Sequence, residues 1–338
     1  MIARAVPPIL LLTLLLAAAG CSARRGAREV VVYTSLDRPY AQPIAAAFER
    51  DTGIRVILHT DTEAEKSLGL ANLLRAERGR PRADVFWSSE AVRLIQLARQ
   101  GLLAPYPSRH RAAYPAMFRD RQGYWTGFAA RARVIAYVPG RVHPPRDFLA
   151  LSTPAYRGQV VMANPRFGTT ATEVAALFQV WGKERATAFY RALRANQVQV
   201  VDGNSAAAEA VARRRALLGL TDTDDAYTRM DRGARLQVLF PQHGRGGTLL
   251  IPNTVGLVAG APHPEEGRRF IDYLLSPETE LRLANLPSRQ VPLHPEARRR
   301  APARVRPLLA VRPLPVDYAR LAEQMEAVDR FLREEFER

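Results

Sequence analysis

The feature that most constrains the fold is a strand–loop–helix unit that occurs three times in succession near the start of the chain. Glu29–Tyr33, Ile54–His59 and Ala83–Trp87 are short segments with β-branched and aromatic residues, which predicts strands. Each is followed by apolar residues at helical spacing. Strands that alternate with helices in this way form a parallel, doubly wound sheet. The sequence therefore predicts an α/β fold.

The pattern returns in the second half of the chain. Strands are predicted at Gln159–Ala163, Val198–Val201 and Leu217–Leu220, and polar residues that open helices follow them. A final amphipathic helix is predicted over Asp317–Phe336. The chain has 338 residues, which exceeds what one hydrophobic core usually supports. We therefore expect two lobes, each built on a doubly wound sheet.

The N-terminus has the pattern of an export signal. An arginine precedes a nearly wholly apolar run from Pro7 to Gly20, which is too short to span a bilayer comfortably. The run ends in Ala18-Ala19-Gly20-Cys21, which resembles a lipobox, with Ala18 in place of the usual leucine. We expect residues 1–20 to be a signal peptide, Cys21 to be lipidated and residues 21–28 to form a tether. The alternative is an ordinary signal peptide beside a chance cysteine.

The formal net charge of +16 invites a nucleic-acid interpretation, but the distribution of charge argues against it. The excess comes almost entirely from arginine, mixed with carboxylates along the whole chain, and no aromatic–basic platform repeats. Export also removes a protein from cellular nucleic acid. We expect no nucleic-acid partner, whereas a basic surface is able to attract an anionic solute or lipid.

Three carboxylates follow the predicted strand Leu217–Leu220. Asp222, Asp224 and Asp225 lie within four consecutive positions, and carboxylates this close are too costly to bury unless they are paired or bind a metal. Ligands of α/β folds bind at the carboxyl ends of strands, so the functional interpretation is the edge of a binding site. The alternative is that Asp224 or Asp225 caps a helix that starts at Ala226. Capping accounts for one aspartate and leaves the others unexplained.

Arg131 and Arg133 lie in a long apolar segment, Tyr124–Tyr137, which predicts a strand. Alternation along a strand places both arginines on one face. A guanidinium group pairs bidentately with a carboxylate, carbonate or phosphonate, which favours a bound anion. A salt bridge between the lobes is the alternative for either residue.

Further polar residues lie at predicted helix starts and on a second crossing segment. Those at helix starts are Ser35, Ser88, Ser89, Thr169, Thr170, Asn204 and Ser205. Capping alone explains each of them, and their interest is that the fold would bring them to one cleft. Asn253 lies between the predicted strands Thr248–Ile251 and Val255–Val258, and Tyr227 follows the aspartates and offers a phenolate.

Four segments resemble an extracellular solute-binding protein of a bacterial ABC importer, of the type II, ferric-iron-binding branch. They are Val30–Tyr33 with Phe48–Val56 (FERDTGIRV), Arg82–Tyr106 (RADVFWSSEAVRLIQLARQGLLAPY), Tyr124–Tyr137 (YWTGFAARARVIAY) and Pro252–Glu278 (PNTVGLVAGAPHPEEGRRFIDYLLSPE). The resemblance implies a two-lobe type II periplasmic binding protein fold whose lobes are joined by crossing strands and close on a ligand. It implies a first lobe of residues 29–126 and 249–300 and a second of residues 127–248 and 301–338.

The resemblance also implies positions for a metal site, and this chain departs from the family there. Iron-binding members use a histidine, a glutamate and two adjacent tyrosines. The histidine position is Asp37, the glutamate falls on Glu63 or Glu65, and the tyrosine pair aligns with Asp224 and Asp225. Carboxylates are hard oxygen donors that suit ferric iron, but they equally suit Ca²⁺, Mg²⁺ or an ammonium group.

We therefore expect a monomeric, lipid-anchored binding protein at the periplasmic or cell-envelope face, with ferric iron or an iron–anion complex as transported ligand and no cofactor. Its partners would be the ligand, the membrane and an ABC permease with its ATPase. A small anionic or zwitterionic solute, such as an aminoalkylphosphonate or a phosphate ester, is the alternative ligand. A phosphotransfer enzyme is the alternative from another functional class. The evidence for it is a single motif of three residues, Asp222-Thr223-Asp224.

Overall fold

The computed structural model describes residues 28–61, 68–243 and 246–337. The strands within these ranges are β1 (Glu29–Thr34), β2 (Arg55–Thr60), β3 (Val85–Ser88), β4 (Leu103–Ala104), β5 (Thr126–Tyr137), β6 (Val160–Ala163), β7 (Gln199–Val201), β8 (Leu218–Asp222), β9 (Gln237–Leu239) and β10 (Leu250–Val258). The strands predicted at Glu29–Tyr33, Ile54–His59 and Gln159–Ala163 begin within one residue of these bounds.

Helices connect the strands and cover both faces of the sheet. They are α1 (Arg38–Thr52), α2 (Leu68–Ala76), α3 (Val92–Arg99), α4 (Gly168–Trp181), α5 (Lys183–Ala195), α6 (Asn204–Ala212), α7 (Thr223–Asp231), α8 (Pro264–Leu274), α9 (Pro277–Asn285), α10 (Pro295–Arg299), α11 (Arg306–Leu309) and α12 (Tyr318–Phe336). No helix among the described residues is long and apolar enough to cross a membrane.

Two of these boundaries correct the sequence analysis. Helix α7 begins at Thr223 and not at Ala226, so Asp224 and Asp225 lie inside its first turn. Carboxylates are favourable there because the free N–H groups and the dipole of a helix place positive charge at its N-terminus. The predicted strands Thr248–Ile251 and Val255–Val258 form one continuous strand, β10, because the register slips at Pro252 without ending the pairing.

The strands form one continuous sheet in the order β2-β1-β3-β10-β5-β8-β6-β7, with β4 beside β10 and β9 beside β5. The strands β1, β2 and β3 are parallel and define the first lobe, and the parallel strands β6, β7 and β8 define the second. Between them, β5 and β10 run antiparallel to each other and to their neighbours. The predicted fold of two lobes joined by crossing strands is confirmed.

Strand β5 carries the chain from one lobe into the other. Its first half, Thr126–Ala132, pairs with β10, and its second half, Arg133–Tyr137, pairs with β8. The pairing with β10 is irregular around Ala129, which has a φ of +40° and lies opposite the step from Pro252 to Asn253. Proline has no N–H for the sheet, so an irregularity at this position is expected. The sheet therefore bends where the lobes join.

Helix α12 packs on both lobes. On the first lobe, Arg93 of α3 forms a two-pronged ion pair with Asp329, with both N–O distances 3.0 Å. On the second lobe, Phe178 of α4 packs against Phe331 with ring centroids 5.8 Å apart. Residues 301–338 were expected to belong to the second lobe, and α12 within them is a brace across both.

We expect Phe331→Ala to destabilise the protein by about 3 kcal/mol, because truncation of a buried aromatic side chain leaves a cavity. Phe331 is 5% exposed. The measurement is urea unfolding followed by circular dichroism. Glu326→Ala, on the exposed face of the same helix, is the matched control and should change the free energy of unfolding by less than about 0.5 kcal/mol. Equal losses in the two variants would show that α12 does not brace the lobes through this contact.

Candidate functional site between the lobes

Strand ends and helix starts from both lobes meet around a small cavity of about 290 Å³, including its opening to solvent. The first lobe contributes the segment after β1 and the end of β3, and the second contributes the starts of α4 and α6 and the end of β8. The lining residues are Leu36, Asp37, Ser89, Arg131, Thr169, Asn204, Asp222 and Asp224. Six of these eight were among the candidate residues that the sequence placed at strand ends and helix starts, and Arg131 was placed on the crossing strand.

Asp222 is the centre of the polar network beneath the cavity. Its Oδ1 accepts a hydrogen bond from Nη1 of Arg133 at 2.9 Å, and its Oδ2 accepts one from Nε of Arg131 at 3.2 Å. The hydroxyl of Thr169 donates to Oδ2 at 2.6 Å, and the amide of Asn204 donates to it at 3.3 Å. Both carboxylate oxygens of Asp222 are thus engaged by the protein itself.

Arg133 is a structural cation of the second lobe. It is 1% exposed, and its Nη2 donates to Oε2 of Glu173 at 2.9 Å while its Nη1 donates to Oδ1 of Asn204 at 2.8 Å. Burial alone would lower the pKa of Arg133, but the carboxylates of Glu173 and Asp222 outweigh it and raise the pKa. The alternative for Arg133 was a salt bridge between the lobes, whereas its salt bridges to Glu173 and Asp222 lie within the second lobe. Glu173 was missed by the sequence analysis, although a lone acid in the apolar helix TTATEVAALF was a signal for it.

Arg131 differs from Arg133 because it faces the cavity and reaches the other lobe. Its Nη2 donates to the carbonyl of Ser89 at 2.5 Å, and its Nε lies 3.7 Å from Oδ2 of Asp224. Its Nη1 is buried and makes no hydrogen bond with the described residues. A buried donor without an acceptor is costly, and Nε of Arg133 is a second such donor among the described residues.

The three aspartates of the second lobe form a compact acidic group. One carboxylate oxygen from each of Asp222, Asp224 and Asp225 lies within 4.8 Å of the others. Asp37, at the N-terminus of α1 in the first lobe, lines the same cavity. Asp222, Asp224 and Asp225 thus bring carboxylates from the second lobe to the site, and Asp37 brings one from the first lobe.

The charges at the site also shift the pKa of Asp222 and that of Tyr40. Burial alone would raise the pKa of Asp222, but the guanidinium groups of Arg133 and Arg131 and the Thr169 hydroxyl outweigh it and hold the pKa below its usual value. Burial, together with the charges of Asp224, Asp225 and Asp37, raises the pKa of Tyr40 to about 12. The phenol of Tyr40 is therefore neutral at physiological pH.

Direct hydrogen bonds join the two lobes around the cavity. The hydroxyl groups of Tyr40 in α1 and Thr228 in α7 lie 3.0 Å apart. Deeper in the cleft, the hydroxyl of Thr172 in α4 donates to Oε2 of Glu90 at 3.1 Å. The sequence analysis missed Glu90 and Thr172, because polar residues near the start of a helix are common and do not by themselves indicate a contact between lobes. These contacts, with the one between Arg131 and Ser89, describe a closed cleft.

Several predicted site residues do not line the cavity. Ser35 and Ser88 lie behind Ser89, whose backbone N–H donates to Oγ of Ser35 at 2.8 Å. The hydroxyl of Thr170 donates to Oδ1 of Asn204 at 3.3 Å, and Ser205 accepts a hydrogen bond from Nη2 of Arg229 at 2.8 Å. These side chains support their neighbours, and Ser205 lies in the outer mouth of the cleft together with Asp225.

Two residues that were predicted to bind the ligand, Tyr227 and Asn253, lie away from the cavity because other contacts hold their side chains. Tyr227 turns away from the cavity, because its ring packs under the guanidinium group of Arg289 at 4.7 Å. Asn253 is fully buried in β10, where its amide donates to the carbonyl of Ala129 and to Oε1 of Gln290, the latter at 2.7 Å. Cys21 and the predicted ligand Glu63, with its alternative Glu65, lie outside the described residues.

Two sheet-based lobes that are joined by two crossing strands and enclose a polar cavity define a cleft-binding protein with the type II periplasmic architecture. The chain belongs to the family of bacterial extracellular solute-binding proteins, whose family profile matches residues 29–284. The resemblance drawn from the sequence is confirmed at the level of the family.

The similar proteins include iron-binding ones. The chain is 28% identical to iron uptake protein A1 of Synechocystis over 76% of this chain and 74% of that protein. It is 25% identical to the Fe(3+)-binding periplasmic protein of Serratia marcescens over 79% of this chain and 80% of that protein. The crystal structure of iron-bound HitA from Pseudomonas aeruginosa aligns with a TM-score of 0.80 at 25% identity, over 90% of this chain and 99% of that chain.

We expect Asp222→Asn to destabilise the protein by about 3 kcal/mol at pH 7, because it removes one partner of a buried ion pair. The folded-state pKa of Asp222 is lower than the unfolded one. Its contribution to the free energy of unfolding is therefore complete above about pH 5, near and above the unfolded pKa, and is lost as the pH falls through the folded pKa. Urea unfolding between pH 3 and pH 7 should show the difference from the unmutated protein shrinking as the pH falls. Asp202→Asn, in an exposed loop of the same lobe, is the control, and a difference that is constant with pH would contradict the prediction.

Proposed function

We propose that this protein captures a ferric ion together with a small anion in the cleft between its lobes and delivers it to the membrane permease of an ABC importer. The observation that carries the proposal is the pairing of opposite charges across one cavity. Asp37 and Asp224 line it as carboxylates, and Arg131 lines it as a guanidinium group whose buried Nη1 makes no hydrogen bond with the described residues.

The chemistry of the donors supports a hard cation. Asp224 and Asp225 replace the tyrosine pair that the family resemblance implies, and carboxylate oxygens are donors that hard cations prefer. Asp37 would complete the contact from the first lobe. Because Asp222 is engaged by Arg131 and Arg133, we assign it to holding the site rather than to binding the ion.

The cavity size supports an ion with a small companion anion. Pockets for organic ligands are typically about 300–1,000 Å³. The enclosed space here is much smaller than that, because the figure of about 290 Å³ for this cavity includes open solvent and the lobes are already in contact around it. Carbonate is a planar anion that matches the fork of a guanidinium group. A zwitterion such as an aminoalkylphosphonate has the same pattern of charges and is the alternative ligand. The ligand screen below distinguishes the two, because the zwitterion and not iron would then stabilise the protein.

The mechanism that follows is closure of the lobes on the ligand. The open protein presents Asp37 on one lobe and Asp224 with Asp225 on the other, and the ligand bridges them. A ligand that contacts both lobes binds the closed state better and so shifts the population towards it. No bond in the ligand is made or broken in this proposal. The similarity to periplasmic iron-binding proteins supports a permease as the partner of the closed form.

We further propose how the chain is exported, anchored and divided into lobes. Residues 1–20 direct export, lipidation of Cys21 anchors the protein at the outer face of a membrane, and residues 21–28 are the tether. Residues 29–126 and 249–300 form the first lobe, and residues 127–248 and 301–338 form the second, braced to the first by α12. The protein acts as a monomer.

The first test is a thermal-shift screen of the full chain, expressed with its own N-terminal segment and purified in detergent. The panel contains Fe³⁺ with bicarbonate, Ca²⁺, Mg²⁺, Zn²⁺, phosphate esters and 2-aminoethylphosphonate. A ligand present at a hundred times its dissociation constant stabilises the folded protein by about 2.7 kcal/mol, which raises the melting temperature. We expect a shift with Fe³⁺ and bicarbonate and a smaller one or none with the other probes. A shift with an organic probe and none with Fe³⁺ would overturn the iron proposal.

We expect the double variant Asp224→Ala, Asp225→Ala to weaken Fe³⁺ binding by at least about a hundredfold, which is about 2.7 kcal/mol of binding free energy. The reason is that the variant removes the carboxylates that the second lobe offers to the ion. Isothermal titration with ferric nitrilotriacetate measures the affinity. Asp202→Asn is again the control. An unchanged affinity in the double variant would remove the basis of the proposed site.

We expect Arg131→Lys to reduce the dependence of Fe³⁺ affinity on bicarbonate. Lysine keeps the positive charge but lacks the planar fork that pairs with carbonate. The measurement compares Fe³⁺ affinity with and without 10 mM bicarbonate (roughly saturating for an anion site of millimolar affinity) in the variant and in the unmutated protein. Arg141→Lys, at an exposed position, is the control. An equal bicarbonate effect in all three proteins would show that Arg131 does not hold the anion.

A further inference from the structure

The crossing strand β5 is kinked two residues before Arg131. Ala129 has a φ of +40°, in the left-handed region that residues with a side chain rarely adopt. It lies between Phe128 and Ala130, whose partners in β10 are the adjacent residues Asn253 and Pro252, so Ala129 has no partner of its own there. A strained residue persists only where its surroundings fix it. The structure must therefore hold Ala129 in place by other contacts.

The main contact is with the side chain of Glu280 in α9. Its Oε1 accepts a hydrogen bond from the backbone N–H of Ala129 at 2.7 Å. The same carboxylate accepts the backbone N–H of Leu293, at 3.1 and 3.0 Å to its two oxygens, and that of His294 at 2.7 Å. Glu280 is fully buried. One buried carboxylate thus gathers backbone donors from the crossing strand and from the segment after α9.

Neighbouring contacts complete this arrangement around the kink. Ala130 and Val291 exchange both of their backbone hydrogen bonds, with N–O distances of 2.8 and 2.6 Å. The amide of Asn253 donates to the carbonyl of Ala129 and to Oε1 of Gln290. Ala129 is therefore held through its N–H by Glu280 and through its carbonyl by Asn253. The direction in which β5 leaves the kink determines where Arg131 enters the cavity.

We propose that Glu280 is a positioning residue, whose ionised carboxylate fixes the kink of β5 at Ala129 and thereby sets the place of Arg131 in the ligand cavity. The proposal rests on the proposed function in one respect, that the ligand binds beside Arg131. The clamp itself is a property of the ligand-free protein and can be tested without a ligand.

The charge of the carboxylate matters for this role. Hydrogen bonds to an ionised acceptor are shorter and roughly twice as strong as those to a neutral one. A protonated Glu280 would place an O–H donor among the backbone donors of Ala129, Leu293 and His294, where it opposes at least one of them. Loss of the charge is therefore expected to loosen the kink without removing the side chain.

The surroundings of Glu280 place this change of charge near neutral pH. Burial raises the pKa of Glu280 to about 7, against the opposing effect of the three backbone donors and of Arg298 in α10. Tyr114 also lies close to Glu280, and burial raises its pKa well above the usual value. Burial lowers the pKa of the His294 ring, which is present in each protein compared below.

The test compares Glu280→Gln with the unmutated protein at pH 6 and pH 8, using the full chain in detergent and Fe³⁺ with bicarbonate as the probe. Glutamine keeps the size and one acceptor oxygen but not the charge. We expect Glu280→Gln to weaken Fe³⁺ binding about tenfold at pH 8 and to have little effect at pH 6, where the unmutated Glu280 is itself mostly neutral. Taking the ratio of the two dissociation constants at each pH cancels the hydrolysis of iron.

The matched control is Glu278→Gln. Glu278 lies two positions earlier in the same helix, is exposed and pairs with Arg300 at 3.2 Å. It should leave the affinity ratio near one at both pH values. A ratio for Glu280→Gln that is the same at pH 6 and pH 8, or a control that behaves like Glu280→Gln, would overturn the proposal.

Amide hydrogen exchange in the ligand-free protein provides the second measurement. In the unmutated protein, exchange of the Ala129 amide relative to that of Val134, a reference in the same strand, should slow as the pH rises through about 7. This measurement needs no variant, so it decides the proposal even if Glu280→Gln does not fold. A pH-independent ratio would overturn the clamp. Failure of Fe³⁺ to bind the unmutated protein would instead overturn the proposed ligand and leave the exchange result standing.

Discussion

The structure depends on the way in which two arginines are buried on one crossing strand. Taking a guanidinium group out of water is costly unless close, well-oriented acceptors offset the desolvation. Asp222 and Glu173 offset it for Arg133, so Asp222 must lie at the end of β8, and Thr169 and Asn204 must bring the starts of α4 and α6 against it. The floor of the cavity is thus built to satisfy the arginines. Among the described residues, Nη1 of Arg131 and Nε of Arg133 remain without an acceptor there, and of the two arginines Arg131 lines the cavity.

The same residues connect the site to the motion of the lobes. Arg131 is held by Asp222 in the second lobe and donates to the carbonyl of Ser89 in the first, so it is placed to respond to the distance between them. The contacts from Tyr40 to Thr228 and from Thr172 to Glu90 close the cleft on either side. Helix α12 contacts both lobes away from the cavity, which restricts how they can separate. Bending is therefore concentrated in β5 and β10, where Ala129 already departs from regular strand geometry.

The order of strands and helices could be predicted from the sequence because hydrophobic period and loop composition are local properties. Arg131 and Arg133 could be placed on one face for the same reason. The roles of the aspartates could not be assigned, because Asp222, Asp224 and Asp225 are equivalent in sequence and only the contacts of Arg133 show that Asp222 is engaged. Tyr227 and Asn253 were plausible ligands by position, yet rotation along α7 and pairing within β10 turn them elsewhere. Glu280 could not be found at all, since the backbone donors that it gathers come from residues 129, 293 and 294.

The whole chain has a positive net charge, whereas the candidate site is rich in carboxylates. The net charge of +16 suggests an anionic partner. Within the site, however, Arg131 and Arg133 are paired with Asp222 and Glu173, and Asp37, Asp224 and Asp225 concentrate further carboxylates on both sides of the cleft. The raised pKa of Tyr40 follows from its burial and from these same aspartates. A basic surface with an acidic cleft repels a bare cation at long range but holds it strongly once it is inside. A cation that arrives within an anionic complex is attracted to the basic surface during its approach and is then held by the carboxylates of the cleft. This is the physical reason for proposing that the ion and its anion enter together.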